Sequence, residues 1–225
     1  MSDAGPPGNV LAVCWRQWRA ERALARRGVR FRSTDPAAVA AGYAAMSAAE
    51  FEAVNGRQDW ANRRTIPRAL DLGCGTGTST RVLAACSPPG SEIVGYELAA
   101  PLLDHARRRR YAHRGGEPAG VAFVCQGVTE PFRDAAGALI GDRTVDLVNA
   151  SGVVGHHLNA ETVRPLIDEA RRVLVPGGLA VLDDGPTLPA AALVGRMRAA
   201  GFEPLGRYKS WPLAPCGQTA FRLTP

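Results

Sequence analysis

Hydrophobic and polar residues follow two different patterns along this chain, and the change lies near residue 65. In the first part, apolar and small residues recur at helical spacing, and a capping box at Ser47 and Glu50 indicates where one helix begins. The predicted helices run from Val10 to about Arg27, from Pro36 to Met46, and from Ser47 toward Pro67. We therefore expect residues 1–65 to form a helical segment.

After residue 65, short apolar runs alternate with helical stretches. The predicted strands are Ala69–Leu72, Ile93–Glu97, Ala122–Gln126, Val145–Asn149 and Leu179–Asp183. The predicted helices are Thr78–Cys86, Pro101–Tyr111, Thr162–Leu174 and Ala190–Ala200. Buried strands that alternate with helices are typical of a parallel sheet with right-handed crossovers, so we expect an α/β fold. Residues 201–225 contain two further short strands, which predict an antiparallel pair that closes the sheet.

The composition excludes several classes of protein. A chain of 225 residues, of which 46% are hydrophobic, is long enough for one domain with a sizeable core. No apolar run approaches the roughly 18 residues that a membrane span requires. The five cysteines are widely spaced and include no CxxC pair, so neither a disulfide framework nor a metal site is indicated. We expect a cytoplasmic protein without a secretory signal.

The chain is basic, with a formal net charge of +6. Lys209 is the only lysine, so arginine supplies 26 of the 27 basic residues. The arginines cluster in the first predicted helix and at Arg107–Arg110, where a solvated helix surface is the more common explanation. Nucleic acid is therefore the less favoured partner, and contact with RNA stays an alternative.

The stretch IPRALDLGCGTGTST, residues 66–80, places an acid and alternate glycines after the first predicted strand. The lysine of a phosphate-binding GxxxxGK[ST] loop is absent, and Thr78 stands where a dinucleotide-binding GxGxxG turn needs its third glycine. A carboxylate at Asp71 repels pyrophosphate but suits a cationic ligand, and glycines let the backbone approach that ligand closely. Glu97 ends the next strand, where a carboxylate accepts hydrogen bonds from ribose hydroxyls.

Together, DLGCGTG and YELA resemble the class I S-adenosylmethionine-dependent methyltransferases, over about Thr65 to Asp184. The resemblance implies a Rossmann-like fold with a mostly parallel seven-stranded sheet and an antiparallel carboxyl-terminal strand. It also implies a helical lid or substrate cap at residues 1–65, a catalytic domain at residues 66–225, and S-adenosylmethionine as the cofactor. A possible homodimer is a further expectation.

The resemblance also assigns residues to the cofactor. The implied cofactor-binding residues are Asp71, Gly73, Cys74, Gly75, Gly77, Glu97, Leu98, Gln126, Gly127, Val128 and Asn149. Within this set, Asp71, Gly73 and Gly75 line the methionine end, and Gly77 lies at the start of the following helix. Glu97 holds the ribose, and Leu98 lies against the adenine. The family commonly has an aspartate at the position of Val128, so Gln126, the Val128 backbone or Thr129 would have to replace it.

Further residues are candidates for the reaction. The catalytic candidates are Tyr43, Trp60, Asn149, Ser151, His156 and His157. Asn149 and Ser151 follow the fourth strand, where the resemblance places the reacting centre. Tyr43, Trp60 and Trp211 offer aromatic faces to a sulfonium, with plain core packing as the alternative. A neutral histidine suits a general base, and we expect at most one of the adjacent pair to act.

Three functions remain open. The segment NASG is not the Asn/Asp-Pro-Pro-Tyr motif typical of base-amino methylation, so a methyltransferase acting on a small molecule is the leading prediction. A fainter resemblance, in FEAVNGRQDWANRRTIPRALDLGCGTG and DLVNASGVVGHHL, is to azetidine-2-carboxylate synthases of natural-product pathways. These enzymes cyclise S-adenosylmethionine itself and release methylthioadenosine, and Arg63 or Arg64 would then clamp the carboxylate. An RNA methyltransferase is the third alternative.

Overall fold

The computed structural model describes residues 10–54, 67–209 and 216–225. The helices are α1 (Val10–Arg26), α2 (Pro36–Ala44), α3 (Ala48–Val54), α4 (Thr78–Cys86), α5 (Ala100–Arg107), α6 (Val154–His157), α7 (Arg164–Val173) and α8 (Ala190–Ala199). The strands are β1 (Arg68–Leu72), β2 (Glu92–Glu97), β3 (Gly120–Cys125), β4 (Val145–Ala150), β5 (Leu174–Asp184), β6 (Phe202–Tyr208) and β7 (Gly217–Leu223). In the described ranges, no helix has the length and apolar character needed to cross a membrane.

The seven strands form one sheet in the order β3-β2-β1-β4-β5-β7-β6. The first five strands of this order are parallel, whereas β7 is antiparallel to both β5 and β6. The predicted α/β fold, with a mostly parallel seven-stranded sheet and an antiparallel carboxyl-terminal strand, is therefore confirmed. Because the carboxyl ends of β1, β2, β4 and β5 meet at one edge, side chains at those ends come together.

Alternate residues of the central strands face opposite layers of the core, as the two-residue period of a strand requires. Leu70, Leu72 and Ala150 face the layer of α7 and α8, in a cluster that includes Leu166 and Met197. The neighbouring residues Ala69, Leu147 and Val181 face α4, in a cluster with Leu83 and Ala84. The strands are thus buried on both faces, which explains their nearly continuous apolar runs.

The amino-terminal helices α1–α3 share one apolar cluster with α5, and α2 contacts α5 directly. Buried apolar residues from all three helices and from the α5 region form one cluster, which comprises Leu24, Phe31, Val39, Tyr43, Met46, Phe51, Val54, Ala99 and Leu102. The capping box at the start of α3 is present, since the Ser47 amide donates to Glu50 Oε2 at 2.9 Å and the Glu50 amide donates to Ser47 Oγ at 3.2 Å. The start of this helix was therefore predicted by local chemistry.

Three elements differ by more than two residues from the sequence prediction, and the predicted continuation of α3 toward Pro67 lies outside the described residues. Helix α5 ends at Arg107 rather than Tyr111, because Tyr111 turns back and its hydroxyl donates to the Ala106 carbonyl at 2.9 Å. Strand β5 begins at Leu174 rather than Leu179, so the VPGG segment lies in the strand. The short helix α6 follows β4 and was not predicted, since only four residues adopt it.

Candidate active site

The carboxyl edge of the sheet brings together most of the predicted site residues. Leu72 pairs with Tyr96 on one side and with Ala150 on the other, so Gly73, Glu97 and Ser151 follow at the same level. Two residues before Gly73 and Ser151, Asp71 pairs directly with Asn149. The parallel register therefore converts residues that are far apart in sequence into one continuous site.

The glycine turn after β1 requires its glycines for two reasons. Gly73 and Gly75 have φ values of 67° and 54°, in the left-handed region that favours glycine. A Cβ atom on Gly73 would lie 2.1 Å from Val153 Cγ2, and one on Gly75 would lie 2.1 Å from Phe51 Cζ. The backbone of this turn is therefore in close contact with α3 and with the segment that precedes α6.

Asp71 is held by three side-chain donors beneath this turn. Its Oδ2 accepts from Ser79 Oγ at 2.7 Å and from Thr80 Oγ1 at 2.6 Å, and its Oδ1 accepts from Asn149 Nδ2 at 2.9 Å. Burial raises the pKa of Asp71, and the three hydrogen bonds oppose that shift. The carboxylate is thus fixed in position, and Asn149 is oriented by it.

One polar atom of the Asn149 side chain takes no part in these hydrogen bonds. This side chain is 1% exposed, its Nδ2 is used by Asp71, and its Oδ1 has no hydrogen-bond partner among the described residues. A buried acceptor without a partner costs free energy and suggests a ligand that donates to it. Asn149 therefore lies next to Asp71 and has an acceptor to offer to a ligand.

Glu97 is fixed by backbone donors at the end of β2. Its Oε2 accepts from the Gly75 amide at 3.0 Å and its Oε1 accepts from the Ala99 amide at 2.7 Å. Burial raises the pKa of Glu97, and these amides counteract the rise. Each carboxylate oxygen has a further lone pair, so the group can still accept hydrogen bonds from a diol.

A small cavity of about 80 Å³ lies beside Glu97. Sheet-edge residues line one side of it, and residues of α2 and its preceding loop line the other. The lining comprises Thr34, Pro36, Val39, Tyr43, Gly73, Glu97, Leu98, Gly127, Val128, Thr129, Val153, His157 and Leu158. Of the residues considered for the adenine edge, Val128 and Thr129 therefore line this cavity, whereas Gln126 donates to the Pro131 carbonyl at 3.0 Å and shapes its own loop.

Cys74 differs from its neighbours in the glycine turn. Its Sγ would lie 3.0 Å from a Cβ on Gly95, so its side chain packs against β2 beneath the turn. Burial is the largest cause of the raised pKa of this thiol, which is 1% exposed. Only the backbone of Cys74 is thus placed to line a ligand on the outer side of the turn.

Tyr43 and His157 connect α2 to α6. The Tyr43 hydroxyl lies 2.8 Å from His157 Nε2, and His157 Nδ1 lies 3.1 Å from the Ser33 carbonyl oxygen. Because a carbonyl only accepts, Nδ1 carries the proton and Tyr43 donates to Nε2. Burial lowers the pKa of His157 to about 4, so the imidazole is neutral near pH 7. His156, the other histidine of the pair, is half-buried.

Asp183 was not among the predicted site residues, although it ends β5 beside them. Its Oδ1 accepts from the Val153 and Val154 amides at 3.0 Å each, and its Oδ2 accepts from the Gly155 amide at 2.9 Å. Asp183 therefore holds the start of α6, and through it the position of His157. An acid at the end of a predicted strand is the signal that could have found it.

A second group links α3 to the glycine turn. Glu52 accepts from Thr76 Oγ1 at 3.0 Å and forms a short ion pair with Arg109. This contact, together with Phe51 on Gly75, fixes α3 against the turn, and nothing local in the sequence predicted it. Trp60, Trp211, Arg63 and Arg64 lie outside the described residues.

These residues fit S-adenosylmethionine. Gly73 and Gly75 allow close approach, and Glu97 retains acceptor capacity for the ribose. The acceptor oxygen of Asn149 and the carboxylate of Asp71 provide a negative, hydrogen-bonding environment for an ammonium group. The donor and acceptor types thus match the cofactor that the sequence predicted.

Comparison with known proteins agrees with this assignment. Residues 69–178 match the family described as a methyltransferase domain. Demethylmenaquinone methyltransferase of Thermus thermophilus is 33% identical over 135 residues, which are 60% of this chain and 54% of that protein. A human protein described as a probable tRNA methyltransferase 9B is 33% identical over 108 residues, which are 48% of this chain and 19% of that protein. The chain thus spans about half or less of the length of these relatives.

A solved structure supports the fold. It is that of N-methyltransferase NodS from Bradyrhizobium japonicum WM9 in complex with S-adenosyl-L-homocysteine. The two structures align with a TM-score of 0.55 at 16% sequence identity, and the alignment covers 72% of this chain and 80% of the NodS chain. Residues 69–178, a little under half of the chain, thus match a methyltransferase domain, and S-adenosylmethionine is the cofactor that this match and the site indicate.

Proposed function

We propose that the protein transfers the methyl group of S-adenosylmethionine to a small molecule bound beneath the amino-terminal helices. The observation that supports this proposal is the enclosure of the site, because Pro36, Val39 and Tyr43 of α2 lie across a cavity from Glu97 and Leu98. In this role α1–α3 act as a substrate cap. A group of small size reaches such a cavity more readily than a macromolecule does.

The roles of the site residues follow from their contacts. When bound, the cofactor supplies an electrophilic methyl group on its sulfonium. Glu97 would hold the ribose, the Leu98 and Val128 side would receive the adenine, and Asp71 with Asn149 would receive the amino acid end. Alignment of the reacting groups by such contacts supplies about 7–11 kcal/mol of barrier reduction in favourable cases.

Tyr43 and His157 are proposed to remove a proton. Both side chains line the cavity, and the Tyr43 hydroxyl already donates to His157 Nε2. The Tyr43 oxygen would accept a proton from the nucleophile as its own proton passes to Nε2. Neutral His157 is the competent acceptor, and its lowered pKa keeps it neutral.

Cyclisation of the cofactor is the second candidate, favoured by a specific observation. The Phe51 ring lies directly on Gly75, and Tyr43 packs against that ring with centroids 5.5 Å apart. The methionine end of the site is therefore enclosed by aromatic side chains of α2 and α3. A closed site of this kind suits a reaction within one molecule, which yields methylthioadenosine rather than S-adenosylhomocysteine.

The nucleoside product separates these functions. The purified protein is incubated with S-adenosylmethionine alone, with a small-molecule extract, and with total RNA, and the products are resolved by mass spectrometry. S-Adenosylhomocysteine formed only with the extract would support the proposal. Methylthioadenosine above the uncatalysed background in the first sample would support cyclisation, and S-adenosylhomocysteine formed only with RNA would contradict both.

A further inference from the structure

Gln218 on β7 is a buried polar side chain that neither the sequence analysis nor the family match assigns to the site. It is 4% exposed and pairs with Asp183 across the β5–β7 ladder. Its Nε2 donates to the Ala150 carbonyl oxygen at 2.8 Å, so the side chain reaches across β5 to β4. Ala150 lies between Asn149 and Ser151, which places the Gln218 amide at the predicted reacting centre.

The orientation of this amide is fixed by chemistry. A carbonyl oxygen only accepts, so the atom facing Ala150 must be the nitrogen of Gln218. The remaining atom, Oε1, is buried and has no hydrogen-bond partner among the residues that the structure describes. Gln218 therefore presents a fixed acceptor, in the same way that Asn149 presents Oδ1 after its nitrogen is committed to Asp71.

The two acceptors face the same side of the sheet. Ala220, two residues after Gln218, packs in the cluster beneath α4 that also contains Leu147, two residues before Asn149. Because strand residues two apart share a face, Gln218 and Asn149 both point to the α4 side of the carboxyl edge. Thr219, the intervening residue, also has a buried hydroxyl without a partner in the described ranges, but it faces the opposite layer with Phe221.

We propose that Gln218 Oε1 and Asn149 Oδ1 together bind one primary amine beside the reacting centre. This proposal rests on the proposed function and names a polar group of the ligand that the site holds. Two buried acceptors require a ligand group with at least two hydrogens, which an amine has and a hydroxyl lacks. The adjacent carboxylate of Asp71 favours the cationic form of this amine.

The amine has two possible sources, namely the amino group of the cofactor itself or a separate acceptor molecule. Binding is measured by calorimetry for S-adenosylhomocysteine, which has the amino group, and for methylthioadenosine, which lacks the amino acid. Benzylamine and benzyl alcohol are then titrated into protein saturated with S-adenosylhomocysteine. The variants are Gln218→Met, which removes the acceptor, and Gln218→Glu, which in its protonated form keeps a carbonyl oxygen and a donor toward Ala150.

If the cofactor's own amine is bound, Gln218→Met weakens the binding of S-adenosylhomocysteine roughly tenfold or more and leaves the affinity for methylthioadenosine unchanged. If a separate amine is bound, Gln218→Met leaves the affinity for S-adenosylhomocysteine unchanged but abolishes the binding of benzylamine. Benzyl alcohol should bind neither to the wild type nor to the variant. In either case Gln218→Glu restores binding at low pH, and combination with Asn149→Ala is non-additive because both residues contact one group.

Thr219→Val is the matched control, since it removes an equally buried unpartnered oxygen from the other face of β7. It should leave the binding of every ligand unchanged. Unaltered S-adenosylhomocysteine affinity in Gln218→Met, without any Gln218-dependent benzylamine binding, would overturn the proposal. So would an equal loss in Thr219→Val, since the effect would then be structural. Failure of the wild-type protein to bind either nucleoside would instead contradict the proposed function.

Discussion

Two acids at the carboxyl ends of neighbouring strands carry out different tasks in this site. Asp71 is held by three side chains of the fold, with Ser79 and Thr80 on one oxygen and Asn149 on the other. Glu97 is held by backbone amides, among them those of Gly75 and Ala99, and keeps lone pairs for a ligand. At the level of single residues, the first acid orients the site and the second contacts the ribose in our proposal.

We expect Glu97→Ala to weaken the binding of S-adenosylhomocysteine by roughly tenfold to a hundredfold, because hydrogen bonds to a charged group are worth about 1.5–3 kcal/mol each. Isothermal titration calorimetry measures the change. Glu92→Ala, at the exposed start of the same strand, is the control and should bind normally. Unchanged affinity in Glu97→Ala would remove this residue from the ribose site.

The depressed pKa of His157 predicts a pH dependence of stability. The imidazole has a pKa of about 4 in the fold and an ordinary value of 6.5 when unfolded. Between these values the unfolded chain binds more protons, so the contribution of His157 is fully present above pH 6.5 and is lost as the pH falls toward 4. Raised pKa values of the buried acids Asp71, Glu97 and Asp183 act in the opposite sense, so the comparison must be made with a variant.

His157→Gln supplies that variant, because a glutamine can donate to Ser33 and accept from Tyr43 without titrating. We expect its denaturant midpoint to depend less steeply on pH between 4 and 6.5 than that of the wild type. The difference should be on the order of 1–3 kcal/mol over this window. Parallel pH profiles for the two proteins would show that His157 is not held neutral.

At the scale of elements, α6 is bound to the end of β5 by backbone contact as well as by Asp183. A Cβ atom on Gly155 would lie 2.1 Å from the Asp184 carbonyl carbon and from the Gly185 nitrogen. Backbone atoms at a strand end have little room to move. We therefore expect Gly155→Ala to lower the free energy of unfolding by about 1–3 kcal/mol or more.

Gly195→Ala provides the control for this substitution. Gly195 lies within α8, and a Cβ atom there would meet nothing within 4 Å. Its replacement should raise the free energy of unfolding by about 0.5–1 kcal/mol, because alanine favours the helix. Urea denaturation of both variants checks the pair, and equal effects of the two would refute the close contact of α6 with β5.

The elements differed in how well the sequence predicted them. Strands β1, β2 and β4 were predicted to within one residue, because each is an apolar run bounded by turn residues, and Asp71 and Glu97 followed from their places at strand ends. Helix α6 could not be predicted, since its four residues depend on Asp183, which is 28 to 30 positions away in the chain. The place of Gln218 in the site could not be predicted for a similar reason, because it depends on the antiparallel pairing of β7 with β5.

At the scale of the whole molecule, α1–α3 and the sheet share the site. Phe51 lies on Gly75, Glu52 binds Thr76, and Tyr43 binds His157. A ligand at the glycine turn must therefore contact or displace residues of α2 and α3. Cofactor binding and the position of these helices are thus expected to be coupled.

This coupling predicts a change in hydrogen exchange. At a hundred times its Kd, S-adenosylhomocysteine should stabilise the protein by about 2.7 kcal/mol. Exchange should slow in the amides of α2 as well as in residues 73–77, when followed by mass spectrometry. Protection confined to residues 73–77 would show that the amino-terminal helices do not respond to the cofactor.

The two neighbouring carboxylates at the end of β5 have a consequence for protein engineering. Asp183 holds the segment that starts α6, whereas Asp184 accepts from Arg207 at 2.8 Å and from the Gly217 amide, and so holds the β6–β7 pair. Two regions that are distant in sequence are thus held by adjacent residues of one strand. Consider chimeras in which either region is exchanged with that of a homologue. We expect such chimeras to retain parental activity only when the end of β5 and both regions come from the same parent.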